Sequence, residues 1–189
     1  MQTFQRLFET DFTYLRAFLR NVARYHQRIA VTCTSRQRSW TYAELNREGN
    51  RLARALLQDG VGPHDVVMGV LYNTAEFAFC WIGVQKAGGI FSPINFRLAE
   101  GEIALHIDDS APKVLVYDSD VADVVHRAVK RANRPPARLV MVGPGQASAG
   151  ATLYATYTQD MSDEEIDTGE KGPYDEIVRL YTSGTTGEP

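Results

Sequence analysis

The sequence predicts an α/β fold: a doubly wound, mostly parallel sheet with flanking helices, preceded by an N-terminal β-hairpin. Three observations carry this expectation. Val66 to Leu71, Lys113 to Tyr117 and Arg138 to Val142 are short runs that do not alternate between apolar and polar, as expected of strands buried on both faces. Segments of ten or more residues with helical periodicity lie between them. Strands and helices taking turns in this way build a parallel sheet covered on both sides.

From Phe12 to Tyr25, Leu15, Phe18, Leu19 and Val22 fall at i, i+3, i+4 and i+7, with Arg16, Arg20 and Arg24 on another face. An amphipathic helix is expected there, its stripe packed on the body rather than on a membrane. Ile29 to Thr34 and Ser39 to Thr41 are β-prone runs around a polar turn, the signature of a hairpin. Thr41 and Glu44 have capping-box spacing, Leu45, Leu52 and Leu56 continue one apolar face, and Gly60 is placed to end that helix. After the strand at Val66, Asn73 and Glu76 open a helix that carries Phe77, Trp81 and Val84 and closes at Gly88-Gly89. Ile90 and Phe91 form a short strand stopped by Pro93, and a helix runs through Ile103 and Ile107 to Asp109. Val121, Val124, Val125, Ala128 and Val129 stripe the next helix, with Pro135-Pro136 beyond it. From Gly143 to Asp175 the pattern dissolves into a solvated loop, in which Leu153 to Thr158 could make one short strand. Ile177 to Tyr181 is the last expected strand. Four regions follow: residues 1–28, an amphipathic helix region; 29–142, the α/β unit; 143–176, a loop-rich connection; and 177–189, a strand with a truncated loop.

Composition sets the outer limits. A chain of 189 residues, 44% hydrophobic and 23% charged, is ordinary for a folded domain. At this size it hides roughly 70% of the surface its unfolded form exposes. The net charge of -3 offers no basic field to collect the phosphates of a duplex, so no nucleic-acid partner is expected. Cys33 and Cys80 read as buried free thiols of a reducing compartment. No pair of cysteines or histidines has zinc-ligand spacing, and no structural metal is expected. There is neither a signal-like apolar run nor a stretch near the ~18 apolar residues of a membrane span. A cytoplasmic location is expected.

The chemistry gathers after the last strand, in Thr182-Ser183-Gly184-Thr185-Thr186-Gly187-Glu188-Pro189. Glycines let a backbone take positive φ and approach a ligand closely. The hydroxyl residues around them add donors to the backbone N–H groups, and such a concave array suits an anion with many oxygens. A triphosphate fits. A Walker A loop is excluded, because two residues separate Gly184 from Gly187 where that motif needs four, and no Lys-Ser/Thr follows. A plain Ser/Thr/Gly loop is the alternative on physical grounds alone.

Tyr181 to Pro189 resembles the signature Y-T-S-G-[ST]-T-G-x-P-K of adenylate-forming (AMP-dependent synthetase/ligase) enzymes, the family of acyl-CoA synthetases, luciferases and peptide-synthetase adenylation domains. The expected lysine would be residue 190. Two further segments, in the family's order, support the resemblance. Trp40-Thr41-Tyr42-Ala43-Glu44-Leu45-Asn46 is similar to the start of the family's first helix, and Lys86 to Asn95 is similar to its K-A-G-x-x-x-x-P-[IL]-[ND] segment.

The resemblance implies that Thr182, Ser183, Gly184, Thr185, Thr186 and Gly187 wrap the β- and γ-phosphates of ATP, with Mg²⁺ sharing the charge. It implies attack of a small-molecule carboxylate on the α-phosphorus to give an acyl-adenylate, then transfer to a thiol, usually coenzyme A. The catalytic lysines would lie beyond Pro189, so no catalytic residue is expected within this chain, and the chain alone is expected to be inactive. Asn95-Phe96-Arg97-Leu98 looks more like acyl-CoA synthetases than amino-acid-adenylating domains. Those domains, and a non-catalytic binding fragment able to self-associate through a truncated edge, are the alternatives.

Two decoys are set aside. Gly143-Pro144-Gly145 follows a strand, but Ser148 stands where the dinucleotide fingerprint needs its third glycine. Lys86, at a helix end beside Gly88, is expected to complement the helix dipole rather than to serve as a catalytic amine. Phe77, Phe79 and Trp81 read as core.

Overall fold

The computed structural model describes residues 12–34, 36–167 and 171–182. Helix α1 (Tyr14–Tyr25) leads into the antiparallel hairpin of β1 (Ile29–Cys33) and β2 (Arg38–Thr41). Then follow α2 (Tyr42–Gln58), β3 (Val66–Val70), α3 (Ala75–Lys86), β4 (Ile90–Pro93), α4 (Glu100–Ser110) and β5 (Val114–Asp118). A short 3₁₀ turn, α5 (Ala122–Arg131), β6 (Arg138–Val142), β7 (Ala151–Leu153) and α6 (Tyr154–Thr158) complete the described elements. The main sheet has the order β4-β3-β5-β6-β7, and every pairing in it is parallel.

Period-two geometry accounts for the unbroken apolar strands. Val67, Val114, Val116, Val140 and Val142 face one core cluster with Leu52, Leu56, Phe79 and Ile82. Met68, Val70, Leu115, Tyr117 and Met141 face the other, with Ile103, Ile107, Val125 and Ala128. Helices cover both faces, so neither set of strand side chains meets water. Phe18 is the one α1 side chain buried in the first cluster, with Leu15, Leu19 and Val22 packed around it.

The helix ends follow the local signals. The Glu44 N–H donates to Thr41 Oγ1 at 3.2 Å while the Thr41 N–H donates to Glu44 Oε2 at 2.8 Å, a complete capping box. At the other end of α2, Gly60 takes φ +75 and the Val61 N–H reaches Leu56 O at 2.9 Å. Gly88 at φ +78, with the Gly89 N–H on Val84 O at 2.9 Å, closes α3 in the same Schellman form. Replacing the cap is a direct check: Thr41→Ala should cost about 1 kcal/mol in urea unfolding, because the Glu44 N–H loses its acceptor while the backbone N–H of residue 41 keeps Glu44 Oε2.

Five details differ from the expectation. The N-cap of α3 is Thr74 rather than Asn73, and Val121 belongs to the 3₁₀ turn Ser119–Val121 ahead of α5. The run from Leu153 to Thr158 is not a strand. Pairing with β6 ends at Leu153, and the chain then coils into α6, burying Tyr154 and Thr158. Ile177 to Tyr181 forms no full strand either; it makes one parallel bridge, Val178 to Phe91 on β4. Lastly, the acidic segment Ser162 to Glu165 is not a free solvated loop. Arg51 pairs with Asp163 at 2.8 Å, Arg54 donates to Glu164 O at 2.7 Å, and Asn46 donates to Glu165 Oε2 at 2.7 Å. These bonds strap the segment onto α2.

Candidate functional site: the approach to the signature loop

The described chain carries the site as far as its first residue. Thr182 is described; Ser183, Gly184, Thr185, Thr186 and Gly187 lie outside the described residues. Two sets of bonds fix the approach to Thr182. The first ties it to β4: the Phe91 N–H donates to Ile177 O at 3.1 Å, and the Arg179 N–H donates to Phe91 O at 3.0 Å. Parallel pairing gives the segment the direction of the sheet strands. Lys171 Nζ supports it by donating to Gly89 O and Glu176 O, each at 2.8 Å, and Arg179 forms a two-pronged bond with Glu176 at 2.8 and 2.9 Å.

The second set involves Tyr181. Its hydroxyl donates to Asp109 Oδ2 at 2.5 Å, and its ring lies 4.1 Å, centroid to centroid, from the imidazole of His106. Burial, and then the bond to Asp109, push the Tyr181 phenol up to about 12, so it stays a donor at neutral pH. Burial pushes the His106 imidazole down, which keeps it neutral there.

A separate polar group sits where the strand order turns, between the carboxyl ends of β3 and β5. Asp118 Oδ2 accepts the Tyr72 N–H at 2.5 Å, and Glu76 pairs with Arg36 beside it. Burial, with the Glu76 charge adding to it, raises the Asp118 carboxyl from 3.8 to about 6. Folding therefore takes up a proton between these two values, and stability falls as pH rises through that window and is level above it. Asp118→Asn keeps an acceptor for Tyr72 and removes the charge. Its urea midpoint should exceed that of the native chain by more at pH 8 than at pH 5.

The decoys resolve on geometry. Gly143 (φ +139) and Gly145 (φ +93) turn the chain after β6, and no helix opens there; the next element is β7. A Cβ on Gly143 would run into Ser119, which explains the glycine without a nucleotide. Lys86 lies in the last turn of α3, as expected, but inside the protein rather than at its surface. It is 1% exposed and ion-paired with Glu165, while burial lowers its pKa. Phe79 is core, and Phe77 and Trp81 pack edge-on against Phe91. Cys33 and Cys80 are buried, and neither is in a disulfide among the described residues. None of the described helices is long and apolar enough to cross a membrane.

With this geometry in place, comparison with known proteins decides the family. The model of the AMP-binding enzyme family matches residues 18–189. The chain belongs to the AMP-binding enzyme family. Among similar proteins, a crotonobetaine/carnitine–CoA ligase of Salmonella arizonae is 32% identical over 162 residues, covering 85% of this chain and 31% of that ligase. A medium/long-chain-fatty-acid–CoA/3-oxocholest-4-en-26-oate–CoA ligase of Mycobacterium tuberculosis is 35% identical over 168 residues, 86% of this chain and 29% of the ligase. Among solved structures, the anthranilate CoA ligase AuaEII in complex with anthranoyl-AMP superposes with a TM-score of 0.84 at 22% identity, covering 93% of this chain and 33% of that one. The inhibitor-bound N-terminal domain of Mycobacterium tuberculosis FACL13 gives 0.80 at 27%, covering 96% and 43%. This AMP-binding family chain spans about 30% of the length of the curated ligases it matches.

The signature loop was singled out in the sequence by its resemblance to the family motif, its residue types alone leaving a plain loop open. Tyr181, Asp109 and His106, the residues that hold its entrance, were not singled out as site residues, because 72 positions separate the tyrosine from the aspartate and no local spacing announces the pair.

Proposed function

We propose that this chain is the N-terminal part of an ATP-dependent, carboxylate-activating ligase, and that Thr182 to Gly187 receive the β- and γ-phosphates of ATP. The observation that supports this most is the signature Tyr181 to Pro189 at the end of a chain matched by the AMP-binding family from residue 18 onward. The proposed reaction is attack of a carboxylate oxygen on the α-phosphorus, forming an acyl–phosphate bond as the bond to pyrophosphate breaks. Coenzyme A then takes the acyl group as a thioester and releases AMP. The similar ligases, both CoA ligases by name, favour an acyl-CoA ligase over an amino-acid-adenylating domain. Mg²⁺ is proposed to accompany the triphosphate. A glycine-rich loop contributes by position and electrostatics, placing donors where phosphate charge develops. A cytoplasmic location fits two buried cysteines that form no disulfide among the described residues.

The 189-residue chain by itself is proposed to be inactive and to associate through its truncated edge at Ile177 to Tyr181, which makes a single bridge, Val178 to Phe91, among the described residues. Ordering a glycine-rich loop around ATP costs roughly 1 to 2 kcal/mol per residue, and within this chain little offsets that cost. Calorimetric titration of the purified chain with Mg-ATP should therefore give no heat of binding at micromolar concentrations. Micromolar affinity would show a complete nucleotide site inside these residues and overturn the proposal.

A further inference from the structure

We propose that Tyr181 is a positioning residue, clamped to α4 through Asp109 and His106 so that the loop beginning at Thr182 starts from a fixed root. The inference rests on the phosphate-loop reading above.

The approach segment is held at two places. Upstream, the bonds of Ile177 and Arg179 to Phe91 fix it to β4. Leu180 follows, 65% exposed and thus not a packing anchor. Tyr181 then returns the chain to the body: its ring packs against the second core cluster and against His106, itself 5% exposed, and its hydroxyl reaches Asp109. A hydroxyl bonded to a carboxylate is among the stronger neutral-to-charged contacts. The residue after this anchor is the first of the loop.

That placement has a physical purpose. Glycine has more accessible backbone conformations to lose than other residues, and two of the six residues from Thr182 to Gly187 are glycine. The segment's donors hold a phosphate well only if both ends are fixed, since misplacement of about 1 Å can cost on the order of 10²-fold in rate. A tyrosine that merely filled space would use only its ring. Here the ring and the hydroxyl engage two residues of one helix, three positions apart and so on one face.

Two variants separate the roles. Tyr181→Phe keeps the ring and loses the hydroxyl; Tyr181→Leu loses both. On the 189-residue chain, hydrogen exchange at the Arg179 amide should rise in Tyr181→Phe and further in Tyr181→Leu, with the thermal midpoint little changed. Asp109→Asn, which still offers an acceptor oxygen, should raise exchange less than Tyr181→Phe. In the whole enzyme, pyrophosphate exchange by Tyr181→Phe should show an ATP KM raised by about tenfold, the worth of a hydrogen bond to a charged group, with the carboxylate KM unmoved. Equal Arg179 exchange in all variants would overturn the clamp. Faster exchange with an unmoved ATP KM would make Tyr181 structural only and overturn the positioning role, while leaving the phosphate reading in place. A native enzyme that shows no carboxylate-dependent exchange would instead sink the phosphate reading and the loop role of Tyr181 with it.

Discussion

Glu165→Leu should destabilise the chain by about 3 kcal/mol, whereas Lys86→Met should cost far less. The pair is lopsided: the Lys86 side chain is 1% exposed and that of Glu165 is 49% exposed. Removing Glu165 leaves an ammonium in the interior with no carboxylate to compensate it, and breaking a buried pair in this way costs about 3–5 kcal/mol; the lower end is taken because water reaches the glutamate side. Removing Lys86 leaves a carboxylate that still accepts from Asn46 at 2.7 Å and already meets solvent. Methionine fills the lysine's volume with apolar atoms. Urea unfolding of both variants at neutral pH is the measurement. Equal losses, or a larger loss for Lys86→Met, would show that the strap from Ser162 to Glu165 does not hold the buried cation.

Thr185→Ala and Thr186→Ala in the whole enzyme should each slow adenylate formation on the order of 10²-fold, the loss typical of one donor aimed at developing charge. Neither variant should unfold the protein, since a polar loop residue contributes little to the core. The split between KM and kcat carries the diagnosis. A donor that strengthens only as the α-phosphorus is attacked lowers kcat, whereas one that binds ATP and the transition state equally raises KM alone. Unchanged pyrophosphate exchange in both variants would remove the loop from the mechanism.

The elements that could be read from the sequence are those whose cause is local. Thr41 with Glu44 and Gly88-Gly89 announce helix ends within a few residues, and the apolar runs at Val66 and Val114 announce strands covered on both faces. What could not be read depends on distant partners. Ser162 to Glu165 looks like solvent-facing acid until Arg51 and Arg54, more than a hundred residues earlier, are folded against it. Ile177 to Tyr181 has the composition of a strand, but a strand needs neighbours, and Phe91 supplies a single bridge. The signature loop showed itself by its resemblance to a family motif, its residue types alone leaving a plain loop open. Its root on Asp109 and His106 did not, because that contact is made by the fold.

The central proposal, a carboxylate-activating ligase built on this chain, is tested most directly by carboxylate-dependent exchange of labelled pyrophosphate into ATP in the whole enzyme. Label should enter ATP only when an accepted carboxylate is present, with AMP as the nucleotide product once coenzyme A is added. Cleavage of ATP to ADP and phosphate, or the absence of exchange with fatty, aromatic and hydroxy acids alike, would contradict it.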